Sequence, residues 1–265
     1  MTHPVAVFAR ALFAAVLLVV GSIAEAQISD INSAINKAGR QRMLSQRMAK
    51  AYLQVGLGVD TERSQRMLDN SIALFDRQLV ELKNYAPTPT VKDTYLRLEK
   101  NWLAYKDVLV GTAPNPDGAR KVLELSESVL QLAHEGTERL VSLSASESGP
   151  LVGVAGRQRM LSQRIAKFYM ANAWGVSVPG GSAEFDKSRR AFNVGLKALV
   201  DAPATTGALR GELGSARQHW QAMELALDAK EPSDKKARAA NVAATSERVL
   251  ETMDAITGMF EKLGS

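Results

Sequence analysis

The ten-residue stretch AGRQRMLSQR occurs twice in this chain, at residues 38–47 and again, letter for letter, at 155–164. Each copy contains three arginines, two glutamines and a serine. A guanidinium group binds carboxylates and planar oxyanions through two parallel hydrogen bonds. We therefore asked which arginine of each copy is placed to bind an anion.

A helix separates the three arginines of each copy. At 3.6 residues per turn, the middle arginine lies within a stripe of small and apolar residues. This arginine is Arg42 in the first copy and Arg159 in the second. The other arginines point to the opposite side and are expected to be solvated or salt-bridged: Arg40, Arg47, Arg157 and Arg164. A second stripe, Leu44, Met48 and Tyr52, is expected to pack the first helix into its own bundle.

An arginine on a tight helix–helix seam needs a negative partner, because burying its charge unpaired costs several kcal/mol. Residues 31–58 contain no Asp or Glu. The partner is then either a bound anion or a carboxylate from another helix, and both alternatives stay open. If the two motif helices face each other, a small planar anion would contact both arginines. The candidate ligand-binding residues are Arg42, Arg159, Gly39, Gly156, Ser45 and Ser162.

Composition limits the chemistry available to the chain. Its 265 residues are 46% hydrophobic and only 6% aromatic, a balance that favours helices. The absence of cysteine excludes disulfides, zinc–cysteine sites and cysteine nucleophiles. The three histidines, His3, His134 and His219, are too scattered to predict a metal site, so no cofactor is expected. No sequence motif of a hydrolase, zinc protease or phosphate-binding loop is present, and we predict no enzymatic activity.

The N-terminus has the features of an export signal. Arg10 precedes the apolar run ALFAAVLLVV, and Ala24-Glu25-Ala26 offers a small-x-small cleavage site before Gln27. We predict a signal peptide at residues 1–26 and a periplasmic mature protein; a single uncleaved N-terminal anchor is the alternative. Export and a formal net charge of only +5 both argue against nucleic acid as a partner.

Periodicity and breakers predict eight helices in the mature chain, as two sets of four. Their expected ranges are 29–56, 60–85, 91–110, 119–143, 150–174, 183–200, 209–227 and 235–262. Matching features recur about 117 residues apart, including Trp102 with Trp220, 118 apart, and SESVL with SERVL, 120 apart. The tryptophans are expected in the cores. We predict an all-α protein of two tandem up-down four-helix bundles, residues 27–145 and 146–265, separated near SASESGP.

The stretch INKAGRQRMLSQRMAKAYL resembles the signature helix of the PilJ-type N-terminal domain of type IV pili methyl-accepting chemotaxis transducers. It is also similar to the P-box of NarX/NarQ-type nitrate/nitrite sensor kinases, with its Asn-x-Ala-Gly-x-x-Arg-Met-x-Ser pattern. The matching residues in the first copy are Asn36, Ala38, Gly39, Arg42, Met43 and Ser45. Those in the second copy are Ala155, Gly156, Arg159, Met160 and Ser162, with Gly153 in place of the asparagine.

This resemblance implies a periplasmic four-helix sensor domain in which one arginine from each of two paired first helices binds nitrate or nitrite. By position these arginines are Arg42 and Arg159. The two copies in one chain predict an intramolecular pseudo-dimer, with a homodimer as the alternative. The family's sensors continue into signalling modules that this sequence lacks, so we expect a membrane-bound sensor or transporter as partner.

Two functions therefore remain in view. The first is an exported sensory or ligand-binding protein that recognises a small oxyanion, with nitrate or nitrite as the expected ligand. The second is a periplasmic helical scaffold or interaction module linked to type IV pili or chemotaxis signalling, whose small-residue seam binds a partner helix instead of an ion.

Overall fold

The computed structural model describes residues 28–111, 113–176, 178–230 and 234–263. These residues form eight α-helices joined by short connections. The helices are α1 (Ile31–Leu57), α2 (Thr61–Tyr85), α3 (Pro89–Gly111), α4 (Pro116–Leu143), α5 (Ser148–Trp174), α6 (Gly181–Asp201), α7 (Gly207–Asp228) and α8 (Lys235–Lys262). All eight expected helices are present, and the expected all-α class with two four-helix repeats is confirmed. The predicted signal peptide lies outside the described residues.

Seven of the eight helices begin one to three residues away from the expected start, and α2 and α5 are two of them. Asp60, where α2 was expected to begin, has a left-handed backbone (φ 42°) and its side chain makes no capping hydrogen bond, and the helix begins at Thr61. Pro150 was expected to begin α5, but the helix begins two residues earlier, at Ser148. Proline is tolerated in a first turn because the N–H that it lacks has no partner within the helix there. The connection between the repeats is thus only residues 144–147.

Each repeat has its tryptophan in the core, as expected. Trp102 stacks on Phe75 with ring centroids 4.2 Å apart, and its indole N–H donates to Asp76. Trp220 occupies the same place in the second repeat, 4.0 Å from the ring of Phe192. Repetition of this aromatic pair shows that the two repeats share one core design.

The opening helices of the two repeats, α1 and α5, form the centre of the molecule. They pack side by side over much of their length, and each also packs on the last helix of its own repeat, α4 or α8. Enclosure on several sides explains why both helices bury polar residues as well as apolar ones. The stripe of Leu44, Met48 and Tyr52 is fully buried, as predicted.

Among the described residues, no helix combines the length and apolar character needed to cross a bilayer.

Candidate functional site

The two motif copies meet where α1 crosses α5, at Gly39 and Gly156. A Cβ atom on Gly39 would lie 3.6 Å from the Cα of Gly156, so the two backbones are in contact. The same point is 3.2 Å from Nη2 of Arg159 and 3.4 Å from Nη2 of Arg42. The structure therefore brings together four of the six predicted site residues, with both guanidiniums at one glycine crossing.

Arg42 is buried and has only a weak negative partner. Its Nη2 donates to the carbonyl of Gly153 on α5 at 3.1 Å, and Nη1 lies 3.3 Å from Nδ1 of His134 on α4. The nearest carboxylate, Glu138, is 3.8 Å from Nη1 and is half exposed. Burial lowers the pKa of Arg42 to about 10; Glu138 opposes this effect and Arg159 adds to it. Nε of Arg42 has no hydrogen-bond partner within the described ranges.

Arg159 has a full internal counter-ion. Its Nη1 forms an ion pair with Asp254 on α8, and its Nη2 donates to the carbonyl of Asn36 at 3.0 Å. Arg40 binds the same carboxylate, with its Nη2 2.8 and 3.1 Å from the two oxygens of Asp254. Burial lowers the pKa of Arg159 to about 10, although Asp254 raises it. Of the two partners that the sequence left open, a carboxylate from another helix is the one seen here.

The two predicted serines, Ser45 and Ser162, are engaged with the helix backbone. Each hydroxyl donates at 2.8 Å to the carbonyl of the motif arginine three residues earlier. The next residue in each copy, Gln46 or Gln163, donates to this hydroxyl and to a backbone carbonyl of α4 or α8. The serines therefore belong to the joints that hold α1 to α4 and α5 to α8, and their hydroxyl protons do not point at the guanidiniums.

Three of the four outer arginines are salt-bridged, within the expectation of solvated or salt-bridged groups. Arg47 pairs with Glu247, and Arg164 pairs with Glu127. Arg40 departs from the expected position opposite the seam, because its long side chain reaches the carboxylate that also binds Arg159. Arg157 is exposed and makes no ion pair within the part of the chain that the structure describes.

A second polar cluster, which the sequence reasoning missed, joins the two repeats below the arginine pair. Lys50 on α1 is fully buried and donates to the hydroxyl of Ser246 on α8 at 3.1 Å. It also forms an ion pair with Glu247 of the same helix. The lysine and glutamate come from different repeats, so this pair ties one repeat to the other.

The same contact is made in the opposite direction. Lys167 on α5 is fully buried, donates to the hydroxyl of Ser126 on α4 at 3.1 Å, and pairs with Glu127. Burial lowers the pKa of Lys167 to about 8, and Glu127 opposes this shift. Burial raises the pKa of Glu127, but Lys167 and Arg164 outweigh it and bring it to about 2. The sequence did contain a signal, since SE recurs in SESVL and SERVL and a lysine follows both motif copies.

The geometry defines a class of protein: an internally duplicated four-helix-bundle domain with one buried arginine at the same place in each copy. The model of the PilJ family, "Type IV pili methyl-accepting chemotaxis transducer N-term", matches residues 24–127 and 140–249. These two regions cover most of the chain, so the chain belongs to the PilJ family and carries two copies of its domain. No curated protein and no solved structure matches it. The family places this protein among sensory and signalling modules.

Proposed function

We propose that this protein is a non-catalytic sensory and interaction module of type IV pili or chemotaxis signalling. It acts in the periplasm after removal of residues 1–26, with residues 27–145 and 146–265 as its two units. Membership of both halves in a chemotaxis-transducer family supports this proposal. In this view the module carries its signal by binding a membrane-bound signalling protein.

An exposed apolar row on α3 is the observation that favours partner binding. Leu96, Leu103 and Val110 follow one another at intervals of seven residues and are 48%, 55% and 62% exposed. Seven-residue spacing places them along one line of the helix, as at one position of a coiled-coil heptad. The equivalent line on α7 carries Gly214 and Gln221, so the row belongs to one repeat only. A single apolar line on one repeat fits one partner helix.

The test is capture of membrane signalling proteins by the tagged mature protein after in vivo cross-linking. Replacing Leu96, Leu103 and Val110 together by serine should reduce recovery of the membrane partner at least about tenfold, because the anchors of a helix interface carry most of its binding energy. Leu225→Ser is the matched control, since Leu225 on α7 is 75% exposed and lies outside the row. Equal recovery with the triple variant and the control would refute this surface as the docking site.

A second candidate function is recognition of nitrate or nitrite between Arg42 and Arg159. The supporting observation is that both guanidiniums are buried at the glycine crossing while Nε of each has no hydrogen-bond partner in the described chain. Two guanidinium cations beside the same glycine repel each other, and a small planar oxyanion between them would reduce the repulsion. Ser45 would contribute through the joint that holds α1 to α4, and Ser162 through the joint of α5 to α8.

Calorimetric titration of the mature protein with nitrate, nitrite, sulfate and chloride tests this candidate. Nitrate or nitrite should bind, and Arg42→Ala and Arg159→Ala should each weaken binding by about tenfold or more, as loss of a charge-assisted hydrogen bond does. Lys197→Ala is a suitable control because Lys197 is a surface lysine, 77% exposed. Absence of binding for all four anions, or binding unchanged in both arginine variants, would remove the candidate.

A further inference from the structure

The two repeats place different residues at one equivalent position. SESVL and SERVL align 120 residues apart, and the same offset aligns His134 on α4 with Asp254 on α8. Asp254 lies between Arg159 of its own repeat and Arg40 of the other. His134 has the corresponding neighbours, Arg42 of its own repeat and Arg157, the second copy's counterpart of Arg40. Both residues act on the charge of His134: Arg42 and Arg157 each lower its pKa, after burial.

The first repeat has a carboxylate near this position as well, one turn further along α4. Glu138 lies 3.5 Å from Nδ1 of His134 and 3.8 Å from Nη1 of Arg42, and the residue aligned with it on α8 is Gly258. Around Asp254, two guanidiniums share one carboxylate in direct contact. Around His134, Arg42 has only Glu138 at 3.8 Å, and the structure gives Arg157 no ion pair in its described part. Burial contributes most to the lowered pKa of His134, Arg42 and Arg157 add to this effect, and Glu138 opposes it. Arg157 is therefore the arginine of this position that has no carboxylate partner in the described part of the chain.

The position opens onto a groove. A cleft of about 950 Å³ runs between α4, α5 and the start of α6, and both His134 and Arg157 lie on its wall. Leu130 on α4 and Met160 and Phe168 on α5 supply apolar surface beside them, and Val178 from the connection before α6 closes one side. A ligand in the groove would therefore meet positive charge at one end and apolar side chains along its length.

Several charged groups at the far end of the groove are already paired. Glu127 and Glu184 both contact Arg164, and Glu127 also pairs with Lys167. These carboxylates do not compensate the charge beside His134. Arg157 lines the other end of the groove and makes no ion pair among the described residues.

We propose that this groove binds a monocarboxylate with an apolar body, such as a medium-chain fatty acid. The ligand carboxylate would pair with Arg157 beside His134, near the place that the Asp254 side chain has in the other repeat. Its apolar part would lie on Leu130, Met160 and Phe168. The site is separate from the seam between Arg42 and Arg159 and does not depend on nitrate binding there.

Calorimetric titration of the mature protein with octanoate tests the proposal. Acetate, which has the carboxylate without the long chain, and 1-octanol, which has the chain without the charge, are the control ligands, each keeping one half of octanoate. Octanoate should bind, and each half should bind at least about tenfold more weakly, because one lacks the apolar area and the other lacks the charge. Arg157→Ala should weaken octanoate binding about tenfold or more. Arg157 is exposed, so its removal leaves the packing of the core intact.

His134→Asp provides the sharpest variant. It places a carboxylate at the position that Asp254 has in the other repeat, so the new side chain should pair with Arg157 and abolish octanoate binding. His134→Asn, which adds no charge, should keep binding within about threefold of the wild type, well under the effect of a lost charged contact. Octanoate binding that survives His134→Asp in a folded protein overturns the proposal, as does failure of octanoate to bind the wild type.

The nitrate titration distinguishes the two sites. Arg159→Ala should weaken nitrate binding at the seam and leave octanoate binding unchanged, whereas Arg157→Ala should weaken octanoate binding and leave nitrate binding unchanged. If octanoate binding were lost in Arg159→Ala but not in Arg157→Ala, the groove assignment would be wrong while the seam proposal would stand.

Discussion

The reciprocal lysine–glutamate pairs give a comparison between matched sites in one chain. Glu247→Gln removes the counter-ion of Lys50, which is fully buried, and Glu247 itself is 7% exposed. Breaking a buried ion pair by deleting one partner costs about 3–5 kcal/mol, because the remaining charge stays uncompensated. For a domain of this size that loss lowers the melting temperature by roughly 6–20 °C.

The equivalent change, Glu127→Gln, should cost less. Glu127 is 36% exposed, and Arg164, which it also binds, keeps a second carboxylate, Glu184, at 2.9 Å. The expected loss is about 1–3 kcal/mol. Thermal and urea unfolding followed by far-ultraviolet circular dichroism measure both losses, and a double-mutant cycle with Lys50→Met isolates the coupling between Lys50 and Glu247.

The order of the two effects is what the reasoning requires. If Glu127→Gln destabilised the protein as much as Glu247→Gln, burial of the carboxylate would not set the strength of these pairs. If Lys50 and Glu247 showed no coupling in the cycle, the pair would not hold the repeats together.

Two further predictions concern acid stability and packing. Burial raises the pKa of Glu247, but Lys50 and Arg47 bring it to about 2, below its ordinary 4.5; a carboxyl with a lowered pKa stabilises the fold above pH 4.5 and loses this contribution as the pH falls towards 2. Glu247→Gln should therefore reduce the fall of the melting temperature between pH 4.5 and pH 2. A fall as large as that of the wild type would contradict this assignment. Gly118→Ala should destabilise by about 1–3 kcal/mol, because its Cβ would lie 2.4 Å from the hydroxyl of a buried tyrosine on α1. Gly211→Ala is the control, because a Cβ atom on Gly211 would have no neighbour within 4 Å. This substitution should stabilise the protein by about 0.5–1 kcal/mol, and a loss of stability would show that steric contact does not explain the effect at Gly118.

Local sequence patterns predicted the helices well because their signals lie within a few residues of one another. The break between α2 and α3 coincides with the stretch APTPT, which contains two prolines. Helix α4 begins with Pro116, directly after the capping side chain of Asn115. The departures at Asp60 and Pro150 have local causes as well. A pattern of residue types gives the position of a connection, but not whether its backbone turns through the left-handed region.

The candidate site was predictable in part. Small neighbours on the helical wheel distinguished Arg42 and Arg159 from the other motif arginines, and both are buried at the seam. The partner of Arg159 was not predictable, because Asp254 is 95 residues away in sequence and reaches the arginine only through the packing of α8 on α5. Lys50 was missed for a related reason: a lysine on a helix is usually solvent-exposed, and only the position of Glu247 on another helix permits its burial.

The difference between His134 and Asp254 has a consequence for how such a site can change. In a homodimer of one repeat, a single codon specifies both halves of the interface, so any substitution is made twice. Two copies in one polypeptide can change independently. In one half of this interface an aspartate directly contacts two arginines, while the other half has a histidine at that position, with Glu138 one turn away and an open groove beside it. Covalent fusion thus permits specialisation, because one half can keep its ion pairs while the other changes.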